Sequence, residues 1–478
     1  MWAEVARGLL EGANYLIFGY FILINSSYLV LIVLAAGEFV RHLRGAMFTG
    51  ADDLFRSPLS PAVSLIVPAY NEAAGIVPAV QALISLRYPR IEVVVVDDGS
   101  TDDTFDRLRD HFDLVEVPRV VPRDVPHSGA VESVHVARAA PRTLVVVRKV
   151  NGGKADSLNV GLNLASHDLV CMVDADSVLD NEALLSVVKP FADDPVRMAA
   201  TGGVVRIANG CRVTAGRVVD IRMPREWLVR IQIVEYLRAF LTGRTGWSRL
   251  GGLVVISGAF GVFRRDLVVA AGGMATDTVG EDAELVVRLH RTLRRAGRDY
   301  RIVFVAEPVS WSEAPAAMRQ LGTQRRRWHR GLAEILTIHR GMLFNPRYGR
   351  VGMVALPYYL VFELLAPFVE LLAFVLLPVS LMLGIVNLDF AWRLAVAAYG
   401  YGMVVSLSAL LLEEMSFHRY SRWSDLARGA VGVVLENVGY RQVLAYYQAQ
   451  GAWWAWRGKK ATWGTQQRAG FGSESEGA

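Results

Sequence analysis

Residues Asn14 to Ala36, NYLIFGYFILINSSYLVLIVLAA, run for 23 positions without a charged side chain. A helix of that length is about 34 Å long, enough to cross the ~30 Å hydrocarbon core of a bilayer. In lipid the backbone N–H and C=O groups must be paired within the segment, so a lone run of this kind has to be helical. Glu4, Arg7 and Glu11 precede it, whereas a cleaved signal peptide has a basic start and a shorter apolar core. The segment therefore reads as a retained span. Arg41, His42 and Arg44 follow it and mark the cytoplasmic side, so the next part of the chain is expected in the cytoplasm.

Val351 to Val386 is apolar and too long for one straight crossing. Pro357 and Pro367 divide it, giving an interfacial or re-entrant piece over 351–366 and a crossing from Pro367 onward. Ala391 to Leu412 crosses back. Arg347, Arg350, Arg419, Arg422 and Arg428 then share the side of the large domain, and the count closes at three crossings. Glu363 and Glu370 are costly in lipid and read as facing a protein-lined or wet path. Val431 to Gln450 carries Glu436 and Arg441 and suits an interfacial helix.

Composition agrees with a chain partly solvated by lipid: 53% of residues are hydrophobic and only 20% charged. A net charge of +5 suits an anionic lipid surface and is too small and dispersed to argue for nucleic acid. Cys171 and Cys211 stand far apart without metal-ligand spacing, so neither a disulfide framework nor a zinc site is expected.

From Pro61 to about Pro315 short β-branched runs alternate with amphipathic stretches. AVSLIVPAY, IEVVVVDDGS and DLVCMVDADS are apolar strands ending in polar residues, the pattern of an α/β domain with a mostly parallel sheet covered on both faces. Such sheets bind ligands at the carboxyl ends of their strands, and all three deliver carboxylates or Tyr-Asn-Glu to that edge. The Pro-rich stretch from Val117 to Arg142 interrupts the pattern and reads as a surface loop with little chemistry.

Asp174 and Asp176 stand one residue apart at a strand end. A turn there lets both chelate one hard divalent cation through oxygen. A lone Asp-x-Asp is more often a solvated turn. Here Asp97, Asp98 and Lys154 lie upstream and an apolar strand leads in, which favours a site.

The ordered motifs VPAYNE, VDDGS, NGGKADSLN, VDADS, GED and QRRRW resemble the processive inverting glycosyltransferases of family 2, the group of cellulose, chitin, hyaluronan and poly-N-acetylglucosamine synthases. The resemblance spans about Ser64 to Gly331. It implies a nucleotide-sugar-binding domain of the GT-A type. Tyr70, Glu72 and Asp98 would contact the nucleotide base and ribose, and Lys154, behind a flexible Asn-Gly-Gly, would reach the diphosphate. Asp174 and Asp176 would hold Mg2+ or Mn2+. Asp282 would be the general base, with Glu281 beside it to raise its pKa. An acidic residue there also suits a helix N-terminus. Ser257 and Gly258 stand where cellulose synthases have Cys-Gly, on the acceptor side.

Gln324, Arg327 and Trp328 share one face of a helix, with Trp328 as a platform for a sugar and Gln324 and Arg327 meeting phosphate or acceptor. Arg325, Arg326 and Arg330 lie around the rest and are expected against anionic lipid headgroups. Trp453, Trp454 and Trp456 read as an interfacial aromatic belt. Trp463, Gly464 and Thr465 resemble a gating segment that closes over the nucleotide.

The expected organisation is a transmembrane helix in 1–45, a cytoplasmic domain in 60–315, interfacial helices in 316–350, the re-entrant piece and two spans in 351–415, and an interfacial helix with a gating-type tail in 416–478. The resemblance implies an inner-membrane synthase with a UDP-sugar donor, a growing polysaccharide as acceptor, contact with lipid and export or accessory subunits. UDP-N-acetylglucosamine is the favoured donor. The rivals are hyaluronan-, chitin- or glucan-type synthesis, a non-processive transfer to a lipid-linked acceptor, and, from a different class, a degenerate export scaffold.

Overall fold

The structure, a computed structural model, describes residues 2–46, 51–138, 143–214, 216–417 and 423–459. The three apolar runs form buried strands, Val63–Ala69, Ile91–Asp97 and Leu169–Val173. They run parallel, Val63 lying beside both Ile91 and Leu169. Continuous apolar sequence is what a strand covered on both faces requires, and Leu65, Val94 and Val170 are wholly buried. Thr143–Lys149 extends the parallel block beyond Ile91–Asp97. On the other side Phe260–Arg264 runs antiparallel to Leu169–Val173 and to Met198–Ile207, which in turn pairs parallel with Arg301–Ser312. Among the described residues the sheet has ten strands. Because the central strands point the same way, their carboxyl ends bring Tyr70, Asp98 and Asp174 to one edge.

The stretch 117–142 differs from its expectation. Val131–Ala137 is a strand that pairs antiparallel with Thr143–Lys149. Upstream of it Val125 is fully buried, and the N–H groups of Ser128 and Gly129 donate to Asp156. The prolines flank these elements without breaking them, so composition hid a strand and a packed loop.

Among the described residues three helices are long and apolar enough to cross a membrane, Glu4–Arg41, Val351–Met382 and Leu388–Met415. They expose apolar side chains such as Leu16, Phe374 and Leu411, as a lipid-facing surface would. The first belongs to a helix running from Trp2 to Ala46. From Val351 the chain stays helical to Met382, bending at Leu365 just before Pro367. Pro367 sits in the first turn after that bend, where a missing N–H leaves no hydrogen bond unmade, whereas Pro357 lies inside the continuous helical run.

Buried ion pairs seat these helices on the α/β domain. Arg206 on a central strand pairs with Glu413, both out of solvent. A partly buried pair ties the following helical segment down in the same way, Arg238 Nη1 lying 2.6 Å from Glu436 Oε1. At Gly246 the backbone of the first helix comes so close that a Cβ would stand 2.8 Å from the Leu31 carbonyl oxygen.

Candidate active site

The turn after Val173 closes with the Ser177 N–H donating to the Asp174 carbonyl at 3.0 Å, which brings Asp174 and Asp176 onto the sheet edge. Lys154 begins the helix Lys154–Leu164, directly after Gly153, whose φ of +90° is open to glycine. Its ammonium reaches Asp174 Oδ1 at 2.5 Å and Glu281 Oε1 at 3.8 Å. Burial alone pulls the Lys154 pKa down, but Asp174, Glu281 and Asp282 outweigh it and the pKa is raised.

Asp282 lies in the first turn of the helix Glu281–Arg295, with Gly280 as the cap. Gly258 N–H donates to its Oδ2 at 2.9 Å and Ala283 N–H to its Oδ1 at 2.8 Å. Each oxygen keeps a lone pair for a substrate proton. The strongly shifted carboxyl of this pair is Glu281. Burial pushes it up, Lys154 pulls it back and Asp282 adds to the rise, leaving it at about 7.

Asp98, expected to contact the nucleotide, lines the cavity and is also tied into the protein. Its oxygens accept from Lys149 Nζ at 2.5 Å, Gly152 N–H at 2.9 Å and Gly153 N–H at 2.8 Å. Lys149 is wholly buried and also lies 2.9 Å from Asp156 Oδ2, itself the acceptor for the Ser128–Gly129 loop. Asp98, Lys149 and Asp156 together fix the glycine loop ahead of Lys154. Tyr70, by contrast, is exposed at the strand end and able to stack on a planar base.

The helix Met318–Ile338 carries the Gln-Arg-Arg-Arg-Trp motif. Gln324 is buried and Trp328 exposed, its ring 6.3 Å from that of Tyr236. The arginines expected against lipid are instead held by protein. Arg325 pairs with Glu235 at 2.7 Å, and Arg326 lies over the rings of Tyr447 and Trp454 and donates to Gln450 at 3.1 Å. Arg330 pairs with Glu334 at 2.7 Å. The cover over Arg326 is the helix Arg441–Trp456, more than a hundred residues downstream. In the same contact Trp454 packs under Arg326, while Trp456 stacks on Phe368 at 5.5 Å, so these two indoles have protein partners.

A cavity of about 1880 Å³ joins these parts. Tyr70, Glu72, Asp98, Lys154, Asp174 and Asp176 line one end, and Ser257, Gly258, Glu281 and Asp282 the middle. Gln324, Arg327 and Trp328 follow, and the far end reaches Tyr28, Glu363, Glu370 and Arg441 among the membrane-type helices. The walls there are polar as expected for Glu363 and Glu370: Tyr28 Oη donates to Glu363 and Arg441 lies 2.9 Å from Glu370. Trp463, Gly464 and Thr465 lie outside the described residues.

The matched family models decide the relationship. Residues 64–268 match Glycosyl transferase family 2, and residues 169–412, just over half of the chain, match Glycosyl transferase family group 2. The chain belongs to glycosyltransferase family 2.

Within that family it is 26% identical over 279 residues to a poly-beta-1,6-N-acetyl-D-glucosamine synthase of Staphylococcus epidermidis, covering 57% of this chain and 55% of the relative. The Staphylococcus aureus synthase of the same name is 26% identical over 277 residues, with the same two coverages. The chain thus spans about half the length of the curated relatives it matches. A mannosyltransferase from Pyrobaculum calidifontis, solved with GDP-Man and Mn2+, shares the GT-A fold at a TM-score of 0.51 and 19% identity, over 93% of this chain and 100% of the other.

Among the described residues no group of three His, Cys, Asp or Glu forms a metal cage. The two carboxylates of Asp174 and Asp176 nevertheless fit a hard cation whose remaining ligands are phosphate oxygens and water, the usual mode for Mg2+.

Proposed function

We propose that this glycosyltransferase is a membrane polysaccharide synthase that transfers a sugar from a UDP-sugar, most directly UDP-N-acetylglucosamine, onto a growing β-linked chain. The observation that carries the proposal is the single cavity linking the Asp174 edge, Asp282 and the membrane-type helices. A transferase for a small soluble acceptor has no use for a cavity that continues between apolar helices. The choice of sugar rests on the named activity of the staphylococcal relatives.

In this reading Tyr70 stacks on the base, with Glu72 beside it, and the loop fixed by Asp98 presents Lys154 to the diphosphate. Asp174 and Asp176 hold Mg2+ or Mn2+, which when bound offsets charge on the departing diphosphate. Asp282 takes the proton from the acceptor hydroxyl as that oxygen bonds to the anomeric carbon and the bond to diphosphate breaks. Displacement in one step inverts the configuration, so an α-linked donor gives a β-linked product. Ser257 and Gly258 shape the acceptor side. Gln324 and Arg327 position phosphate or acceptor, and Trp328 carries a sugar ring at the entrance to the membrane part. The protein sits in the inner membrane with its α/β domain in the cytoplasm, and the chain advances through the cavity.

Purified protein given a panel of UDP-sugars with Mg2+ or Mn2+ tests this. UDP release with UDP-N-acetylglucosamine, and a product cleaved by a β-N-acetylglucosaminidase, is expected. Turnover with a different UDP-sugar alone would move the assignment to another polymer, and none with any would end the synthase reading.

A further inference from the structure

The helix Trp227–Tyr236 continues into the wider π-helical turns of Leu237–Arg244, a geometry often found at functional sites. Tyr236, Phe240 and Arg244 stand four apart there and all line the cavity. The ring of Tyr236 stacks on Phe240, with centroids 4.9 Å apart and planes at 19°. Arg244 caps the stack, its Cζ 3.7 Å from the Phe240 centroid, and Trp328 stands at the other end beside Tyr236.

Among the described residues no carboxylate lies within ion-pair distance of Arg244, and Asp282 acts on it only from further off. Its neighbours Arg238 and Arg325 are paired with Glu436 and Glu235. Arg244 Nη1 is withdrawn from solvent and, among the described residues, has no hydrogen-bond partner. Burial lowers its pKa to about 10, with Tyr359, Asp282 and Tyr236 offsetting part of the fall, so it stays charged at neutral pH. A buried guanidinium without a partner is costly to keep, and in a cleft it marks a functional position.

We propose that Arg244 binds the growing chain: its Nη1 N–H groups take an oxygen of the acceptor sugar, amide carbonyl or hydroxyl, the stacked rings of Tyr236 and Phe240 hold the guanidinium in place, and the exposed ring of Trp328 meets a pyranose face. Sugar rings present C–H faces to aromatic planes and oxygens at their rims, and this row supplies both kinds of contact. Arg244 then contributes to specificity, favouring chains rich in acceptor oxygens at that depth. No motif announces it, because a single arginine ahead of Ser257 and Gly258 has no distinctive spacing.

The assignment rests on the synthase reading. Arg244→Met and Arg244→Lys are compared with the unaltered protein for UDP binding by calorimetry and for transfer from UDP-N-acetylglucosamine to an added N-acetylglucosamine oligomer. Arg244→Met is expected to keep its UDP Kd within about twofold, which also reports that it folds, while the KM for the oligomer rises tenfold or more; Arg244→Lys recovers part of the loss. A UDP Kd that weakens in step with transfer would place the guanidinium on the donor diphosphate and overturn the proposal. Unchanged UDP binding and unchanged KM would also overturn it, leaving Arg244 a packing residue. If the unaltered protein binds UDP but transfers no sugar, the synthase reading fails first and this assignment falls with it.

Discussion

The ammonium of Lys154 lies 2.5 Å from Asp174 Oδ1, so the cation expected to meet the donor diphosphate already rests on a carboxylate expected to hold a metal. A diphosphate that takes this ammonium, or a cation that takes this carboxylate, competes with the pair. Lys154→Met is expected to weaken UDP binding tenfold or more, since a charged hydrogen bond contributes about 1.5–3 kcal/mol. Titration calorimetry with UDP and Mn2+ checks this; an unchanged Kd would remove Lys154 from the donor site.

Asp282 accepts from Gly258 and Ala283 N–H groups that asparagine's side-chain oxygen can still partly satisfy. Asp282→Asn is therefore expected to fold and bind UDP within about twofold of the unaltered protein while losing transfer by ~10²–10⁴-fold, the range for a general base. Substantial residual transfer would assign the base to another group.

Glu281 gives a dependence on pH with a definite sign. Its carboxyl titrates near 4.5 when unfolded and about 7 in the folded protein. The folded state thus holds the proton more tightly, a stabilisation complete below pH 4.5 and lost as pH rises to about 7. Glu281→Gln removes the dependence. Thermal unfolding in detergent should show the unaltered protein losing on the order of 2–3 kcal/mol relative to the variant between pH 4.5 and 8. Parallel stability curves would contradict this.

The contact between Met318–Ile338 and Arg441–Trp456 depends on Gly451, where a Cβ would stand 2.3 Å from the Arg326 carbonyl oxygen. Gly451→Val is expected to destabilise by ~1–3 kcal/mol through overpacking. Because it displaces the helix bearing Gln324 and Trp328, it should impair transfer more than UDP affinity. Gly8→Ala, where a Cβ meets nothing within 4 Å, serves as the control.

Much of the α/β domain was legible because its central strands are buried on both faces, which writes itself into sequence as Leu-Ile-Val runs ending in aspartate. The sheet edge with Tyr70, Asp98 and Asp174 followed from that. Lys149 was not legible: a lysine closing a strand looks solvated, and its two carboxylate partners, Asp98 and Asp156, come from segments on either side. Arg325 and Arg326 misled for a similar reason. Their partners Glu235, Tyr447 and Trp454 are remote in sequence, so a helix face that the protein covers looked like one left for lipid. Val131–Ala137 was hidden by the prolines before it, and Arg244 by the absence of any repeat or spacing.

The length of the product made from UDP-N-acetylglucosamine by the purified protein tests the central claim most directly. A cavity that joins Asp282 to the membrane-type helices predicts a β-linked polymer of many sugars, resolved by size on gel filtration or electrophoresis and lost in Asp282→Asn. Release of UDP with one sugar added to each acceptor, and no longer product at any time point, would contradict it.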